Sequence, residues 1–284
     1  MNVFICGAGT MGRGIALSSI SSGHQTFLYD KNEDVLKKAS GFIIAQVDKQ
    51  VQKGQLTSQD AENRILLIRC VQDMNQIGTS DIVIEAIIES FDAKEQLFSE
   101  IEASGLHEKA ILATNTSSLS VNVLSKNRKY SNTFIGLHFF NPAHIMKLVE
   151  IIKTPSTDES ILNTALTFCQ TLHKVPVIVK DVPGFIVNRV ARNYYNEAMR
   201  IATEQAATPE QIDSLMKSLG FKMGPFELMD LIGNDVNLEV TKSVYAQYFN
   251  DPRFTPSIMQ QDIVNAGLYG RKSGSGFYSY DSNN

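Results

Sequence analysis

The chain has 284 residues, enough for two domains, and its 43% hydrophobic and 20% charged content excludes a disordered or fibrous protein. A formal net charge of −4 argues against non-specific nucleic-acid binding, and no run reaches 18 apolar residues, so no membrane-spanning helix is expected. The three cysteines, Cys6, Cys70 and Cys169, are odd in number and lack metal-ligand spacing, so buried reduced thiols and no metal site are expected.

Val3–Cys6 reads as a strand with no basic or apolar leader before it, so the cytoplasm is the expected location. Gly7-Ala8-Gly9-Thr10-Met11-Gly12 follows at once and opens a helix over 12–22. This is a G-x-G-x-x-G: the first glycine allows the tight turn, the second lets the backbone approach a pyrophosphate, and the third lets helix and strand pack closely. The helix N-terminus offers unpaired N–H groups to phosphate. A second strand, Thr26–Tyr29, ends at Asp30, whose carboxylate can accept from both ribose hydroxyls and repel a 2′-phosphate; the pattern favours NAD over NADP. Lys31 beside it leaves room for some NADP tolerance.

Residues 32–53 read as helix, and the stretch 32–64 is long for a simple crossover, which predicts an inserted helical pair bearing Lys37, Lys38, Lys49, Lys53 and Arg64. Ile65–Arg69, Ile82–Glu85, Ala110–Thr114 and Thr133–Phe140 read as further strands, with helices over 92–104 and 158–172. Leu148–Lys153 and Pro176–Lys180 extend the sheet. Continuous apolar strands alternating with helices predict a doubly wound, largely parallel α/β domain of Rossmann type over 1–182. After Asp181-Val182-Pro183-Gly184 the pattern turns helical: 185–205, 209–219 with Thr208 as N-cap before Pro209, 225–231 and 235–249. Strand signals return only at Gly276-Phe277-Tyr278, so a smaller all-α domain is expected over 183–284.

Polar groups gather where strands end. Asn115-Thr116-Ser117-Ser118 follows one strand, and His138-Phe139-Phe140-Asn141-Pro142 closes another. Glu150 lies in the next strand-like run, so a chain return can bring its carboxylate to the His138 imidazole. A histidine can accept or return a proton near neutrality, and a carboxylate beside it sets its tautomer. Spacing alone leaves that pair structural or catalytic. Asn188 sits in Phe185-Ile186-Val187-Asn188-Arg189, where an amide caps or bridges helices or reaches a ligand cleft. His144 follows His138 closely but belongs to no constellation and is expected at the surface or rim.

Six motifs in order carry a resemblance that runs nearly end to end. They are the glycine loop, Asn115-Thr116-Ser117-Ser118-Leu119, the His138 run with Met146-Lys147-Leu148-Val149-Glu150, Pro183-Gly184-Phe185-Ile186-Val187-Asn188-Arg189, Met223-Gly224-Pro225-Phe226-Glu227-Leu228, and Gly270-Arg271-Lys272 with Gly274-Ser275-Gly276-Phe277-Tyr278. With them the chain resembles the 3-hydroxyacyl-CoA dehydrogenases, especially the short bacterial 3-hydroxybutyryl-CoA dehydrogenases. The resemblance implies NAD as cofactor, an acyl-CoA substrate, and a homodimer formed through the helical domain.

It also implies residue roles. His138 becomes the general base for the 3-hydroxyl proton, Glu150 its partner, and Ser117 and Asn188 holders of the reacting end of the substrate, with Asn141 near both substrate and cofactor. Thr10, Met11, Glu89, Lys94 and Asn115 join the cofactor set, with Lys272 from the C-terminal motif. Lys53, and less strongly Lys49, fall where the family contacts the phosphorylated nucleotide of CoA. One departure is Glu204-Gln205-Ala206, where relatives often carry glycine; it concerns a helix end.

Two other readings remain. A Rossmann dehydrogenase of a free hydroxy acid would clamp a substrate carboxylate with arginine or lysine and would not need the basic insert. A non-catalytic, crystallin-like dinucleotide binder would not need Ser117, His138, Glu150 and Asn188 together.

Overall fold

A computed structural model describes residues 1–280. The chain divides into two compact units between Val182 and Pro183.

The first unit holds eight strands: β1 (Asn2–Cys6), β2 (Gln25–Tyr29), β3 (Ile68–Val71), β4 (Ile82–Glu85), β5 (Ile111–Thr114), β6 (Phe134–Phe139), β7 (Leu148–Lys153) and β8 (Val175–Lys180). They form one sheet in the order β3-β2-β1-β4-β5-β6-β7-β8. Among the described residues every pairing in it is parallel except β6 with β7. The strand order reverses between β1 and β4, the switch point beside which open α/β sheets bind ligands at their carboxyl ends. The Rossmann-type architecture expected from the alternating pattern is therefore present.

Helices α1 (Thr10–Ser21), α2 (Glu33–Gln52), α3 (Ser58–Ile65), α4 (Phe91–Ala103), α5 (Val121–Ser125) and α6 (Glu159–Thr171) cover the sheet. Side chains such as Ile5, Ile84, Leu137 and Ile151 from the strands meet Ile15 and Ile20 of α1, Ile43 and Val47 of α2 and Phe168 of α6 in one continuous core. Strands β4 and β5 are buried along their whole length, which is why they read as unbroken apolar runs. The insert is the expected helical pair: Asn32 caps α2 by accepting from the backbone of Asp34 and Val35, and Thr57 caps α3 by accepting from Asp60.

Two expectations change here. The strand placed at Ile65–Arg69 lies at Ile68–Val71, because Ile65 completes α3 and the apolar run straddles the junction. Cys70 is exposed, because β3 is an edge strand with one face open; Cys6 and Cys169 are buried as expected.

The second unit is helical: α7 (Val187–Thr203), α8 (Pro209–Ser218), α9 (Pro225–Ile232), α10 (Asn234–Gln247) and α11 (Ile258–Asn265). Thr208 caps α8 through a full capping box with Gln211, and Pro209 takes the first helical position. Tyr195 and Met199 of α7, Ile212 of α8 and Phe226 and Met229 of α9 form its core. Gly276–Tyr278 forms no strand. Only isolated bridges occur there, Gly270 with Ser275 and Ser275 with Ser279, because the segment is fastened by a side chain rather than by a ladder. That side chain is the fully buried Asp230, which accepts from the amides of Phe277 and Tyr278, the Asn234 amide and the Tyr280 hydroxyl. Among the described residues no helix is long and apolar enough to cross a membrane.

Candidate active site

Because β1, β2, β4, β5 and β6 all run parallel, their carboxyl ends share one edge of the sheet. That edge collects Gly7–Gly12 after β1, Asp30 after β2, Glu89 after β4, Asn115–Ser118 after β5 and His138 near the end of β6. Strand β7 runs the other way, so Glu150, near its start, also falls on this edge.

The glycine loop is built for close backbone approach. Gly7 has φ +102°, and a Cβ there would stand 2.6 Å from the Ala86 carbonyl oxygen. A Cβ on Gly12 would fall 1.7 Å from the Gly7 oxygen, so only glycine lets α1 start against the loop. A Cβ on Gly9, the N-cap of α1, would meet nothing within 4 Å. No side chain caps this end, which leaves the first amides of α1, including Thr10 and Met11, directed at the open side. The Asp30 carboxylate accepts from Ala8 N and from Asn32 N, both at 2.9 Å, one on each oxygen. Each oxygen keeps a second acceptor position for a hydroxyl. A cavity of about 230 Å³ adjoins it, lined by Gly7, Tyr29, Asp30, Ile87 and Leu97 among others. Cradle, helix terminus and carboxylate together fit a dinucleotide carrying a free ribose 2′-hydroxyl.

A buried ionic group supports the next loop. Glu85 ends β4 fully buried and accepts from Lys94 Nζ at 2.5 Å, the Thr114 hydroxyl at 2.6 Å and Ile87 N at 2.8 Å. Lys94 is 1% exposed and also reaches Glu89 at 3.2 Å. Glu89 in turn accepts from the Thr116 hydroxyl at 2.6 Å, from Ser117 N at 2.8 Å and from Ser118 N at 3.0 Å. Burial alone would raise the Glu89 carboxyl, but Lys94 and the donors from Thr116, Ser117 and Ser118 outweigh it and hold it below its ordinary value. Lys94, expected at the cofactor, is 1% exposed and pairs with both Glu85 and Glu89; a buried ammonium requires such partners. Glu85 is a site-supporting residue that the motifs do not single out. A lone carboxylate closing the apolar run Ile82-Val83-Ile84, followed nine positions later by a lysine on a helix, is the signal that carries Glu85.

His138 and Glu150 are register partners across β6 and β7. His138 Nδ1 lies 2.8 Å from Glu150 Oε2, with the residues 6% and 1% exposed. Directly opposed residues on one sheet face are forced into contact, so the twelve-residue separation in sequence becomes a hydrogen bond. The Asn115 amide oxygen accepts from Phe139 N at 2.8 Å, tying the end of β6 to the loop that carries Ser117. The Asn115 side chain therefore positions the strand as well as bordering the edge. Asn141 is exposed in the connection after β6 and precedes a cis peptide bond to Pro142. His144 is half-buried, its ring edge-on to Phe42, and burial with nearby Lys174 and Arg13 pushes its pKa down. It packs and takes no place beside His138.

Lys49 and Lys53 are exposed at the C-terminal end of α2, one helical turn apart, and among the described residues neither has an ion-pair partner within 4.0 Å. In the second unit, Asn188 opens α7, and its backbone oxygen accepts from Arg192 Nε at 3.2 Å. Lys272 pairs with Asp235 at 2.6 Å.

Comparison with known proteins agrees along the whole described chain. Residues 2–182 match the 3-hydroxyacyl-CoA dehydrogenase NAD binding domain and residues 184–280 the 3-hydroxyacyl-CoA dehydrogenase C-terminal domain. The chain is 42% identical over 279 residues to the 3-hydroxyadipyl-CoA dehydrogenase of Escherichia coli, covering 98% of this chain but 58% of that protein's length. It is 34% identical to the 3-hydroxybutyryl-CoA dehydrogenase of Clostridioides difficile, covering 99% of this chain and all of that protein. The crystal structure of (S)-3-hydroxybutyryl-CoA dehydrogenase from Ralstonia eutropha superposes with a TM-score of 0.94 at 35% identity, covering 99% of both chains. Both domain matches and these relatives make the chain a member of the 3-hydroxyacyl-CoA dehydrogenase family.

Proposed function

We propose that this chain interconverts 3-hydroxyacyl-CoA and 3-oxoacyl-CoA with NAD, preferring short acyl groups such as 3-hydroxybutyryl and acetoacetyl. The observation that carries the reading is the His138–Glu150 hydrogen bond at the sheet edge that also bears the glycine loop and Asp30. NAD, when bound, supplies the hydride acceptor. The chain's own part is proton transfer and placement.

With the Nδ1 hydrogen directed at Glu150, the lone pair of the neutral ring is on Nε2, which takes the 3-hydroxyl proton as the carbonyl forms and returns it in reduction. Glu150 stabilises the imidazolium that results without itself taking the proton. Ser117, on a loop held by Glu89, and Asn188 are assigned to the substrate oxygen, and Asn141 to the border of substrate and cofactor. Lys53 and Lys49 are assigned to the CoA phosphates, as exposed cations on the inserted helix. Lys272 is assigned to the cofactor side.

The reading includes a cytoplasmic homodimer built through the helical unit, whose exposed Val190, Leu219, Phe221 and Leu231 would be covered. A solution mass of twice the chain's 31.5 kDa is expected by light scattering, and a monomer mass would remove that part of the reading.

The central experiment follows NADH oxidation with acetoacetyl-CoA, free acetoacetate and 3-oxoadipyl-CoA side by side. Turnover of acetoacetyl-CoA is expected. Activity confined to free acetoacetate would replace the reading with a hydroxy-acid dehydrogenase, and preference for 3-oxoadipyl-CoA would move it to longer dicarboxylic groups. Binding of NADH without any turnover would leave a non-catalytic dinucleotide binder.

A further inference from the structure

Beside Asp30, the same cavity is lined by Lys31 and Glu100. Lys31 Nζ contacts both carboxylate oxygens of Glu100, at 3.0 and 2.9 Å, and Gln96 Nε2 donates to Glu100 at 3.0 Å. The two ends of this pair come from different elements, the β2–α2 connection and helix α4. Hydrogen bonding to Glu100 raises the Lys31 pKa, and the same contact lowers that of Glu100, so both are charged across the neutral range.

A dinucleotide 2′-phosphate brings about −1.5 to −2 charges to the ribose position and needs a cation in reach. Lys31 is the cation that follows the ribose carboxylate in sequence, yet Glu100 neutralises it. A 2′-phosphate would then meet Asp30 and Glu100 together. Resting on the NAD-dependent reading above, we propose that Glu100 sets the preference for the unphosphorylated dinucleotide by withdrawing Lys31 from the 2′ position. The specificity element is thus a three-residue arrangement of Asp30, Lys31 and Glu100, not Asp30 alone.

The pair is partly exposed, with Lys31 and Glu100 side chains 63% and 33% accessible, so its effect is modest. An exposed ion pair of this kind corresponds to roughly a five-fold bias at most, and removal of the adjacent carboxylate charge adds to it. The test measures kcat/KM for NADPH and for NADH, with acetoacetyl-CoA, in wild type, Glu100→Gln, Lys31→Ala and the double variant. The NADPH-to-NADH ratio is expected to rise about two- to five-fold in Glu100→Gln and to return towards the wild-type value when Lys31→Ala is added. An unchanged ratio in Glu100→Gln, or an equal rise with Lys31 removed, overturns the proposal. Those outcomes, obtained with wild type still turning over acetoacetyl-CoA and NADH, leave the functional reading standing. Absence of NADH binding in wild type would instead remove that reading and the proposal with it.

Discussion

His138 Nδ1 and Glu150 Oε2 stand 2.8 Å apart because their residues face each other across the antiparallel seam between β6 and β7. The seam reverses one strand of a parallel sheet and so returns a carboxylate to the edge that bears the glycine loop and Asp30. Both side chains are almost fully enclosed, which strengthens their interaction over that of an exposed pair.

Replacing His138 with Ala is expected to lower kcat by about 10²–10⁴-fold, the usual contribution of a positioned general base. Glu150→Gln should lower kcat as well while leaving KM for acetoacetyl-CoA near its original value, because the carboxylate acts on the ring. Steady-state kinetics of both variants check this. Undiminished turnover in either would show that the proton is handled elsewhere.

Gly9 and Gly12 separate cofactor approach from folding. A methyl group on Gly9 meets open space, so Gly9→Ala should keep its melting temperature but bind NADH more weakly. On Gly12 the same methyl overlaps the Gly7 oxygen, so Gly12→Ala should destabilise the chain outright. Calorimetry with fluorescence titration of NADH distinguishes the two. Equal melting losses in both variants would contradict the geometry.

Lys94→Met removes the ammonium from the fully buried Glu85. Breaking such a pair costs about 3–5 kcal/mol, and the double variant Glu85→Gln/Lys94→Met should recover part of it, since the stranded charge is gone. Urea unfolding of the two single variants and the double provides the measurement. A double variant no more stable than Lys94→Met would argue against an unpaired charge as the cause.

Glu89 carries a pH signature. Its folded pKa lies below the ordinary 4.5, so it binds protons more readily unfolded than folded. The stability it contributes is fully present above the unfolded pKa and is lost as pH falls through the folded one. Wild type should exceed Glu89→Gln in melting temperature at pH 7, and the gap should shrink below about pH 4.5. A constant gap from pH 7 to pH 3.5 would show that the Ser117 loop does not depend on the Glu89 charge.

Gln205, just past the end of α7, adopts φ +59°, the left-handed region that favours glycine. Gln205→Gly is expected to stabilise the helical unit by about 0.5–1 kcal/mol, the relief of left-handed strain less glycine's extra unfolded entropy. A thermal melt that moves downward would refute this.

Much of the molecule is legible in local sequence. Glycine spacing after an apolar strand, the carboxylate at Asp30 and the run from His138 to Pro142 rest on local requirements: a backbone too crowded for a Cβ, an acceptor at a strand end, a titratable ring. Helix ends such as Thr208-Pro209 are equally local, since capping satisfies amides within three residues. Strand edges are not local in this sense around Ile65, where one apolar stretch serves the end of α3 and the start of β3.

The two-part pattern and the dinucleotide cradle can be read from spacing and composition, and so can the presence of a histidine and a carboxylate near the sheet's carboxyl edge. Their arrangement comes from packing. The register that sets His138 against Glu150, the burial that commits Lys94 to Glu85, the opening of Cys70 on an edge strand and the capture of Lys31 by Glu100 all depend on which strands and helices become neighbours. Such contacts join residues distant along the chain, through strand order and the exclusion of water, neither of which is written at any single position.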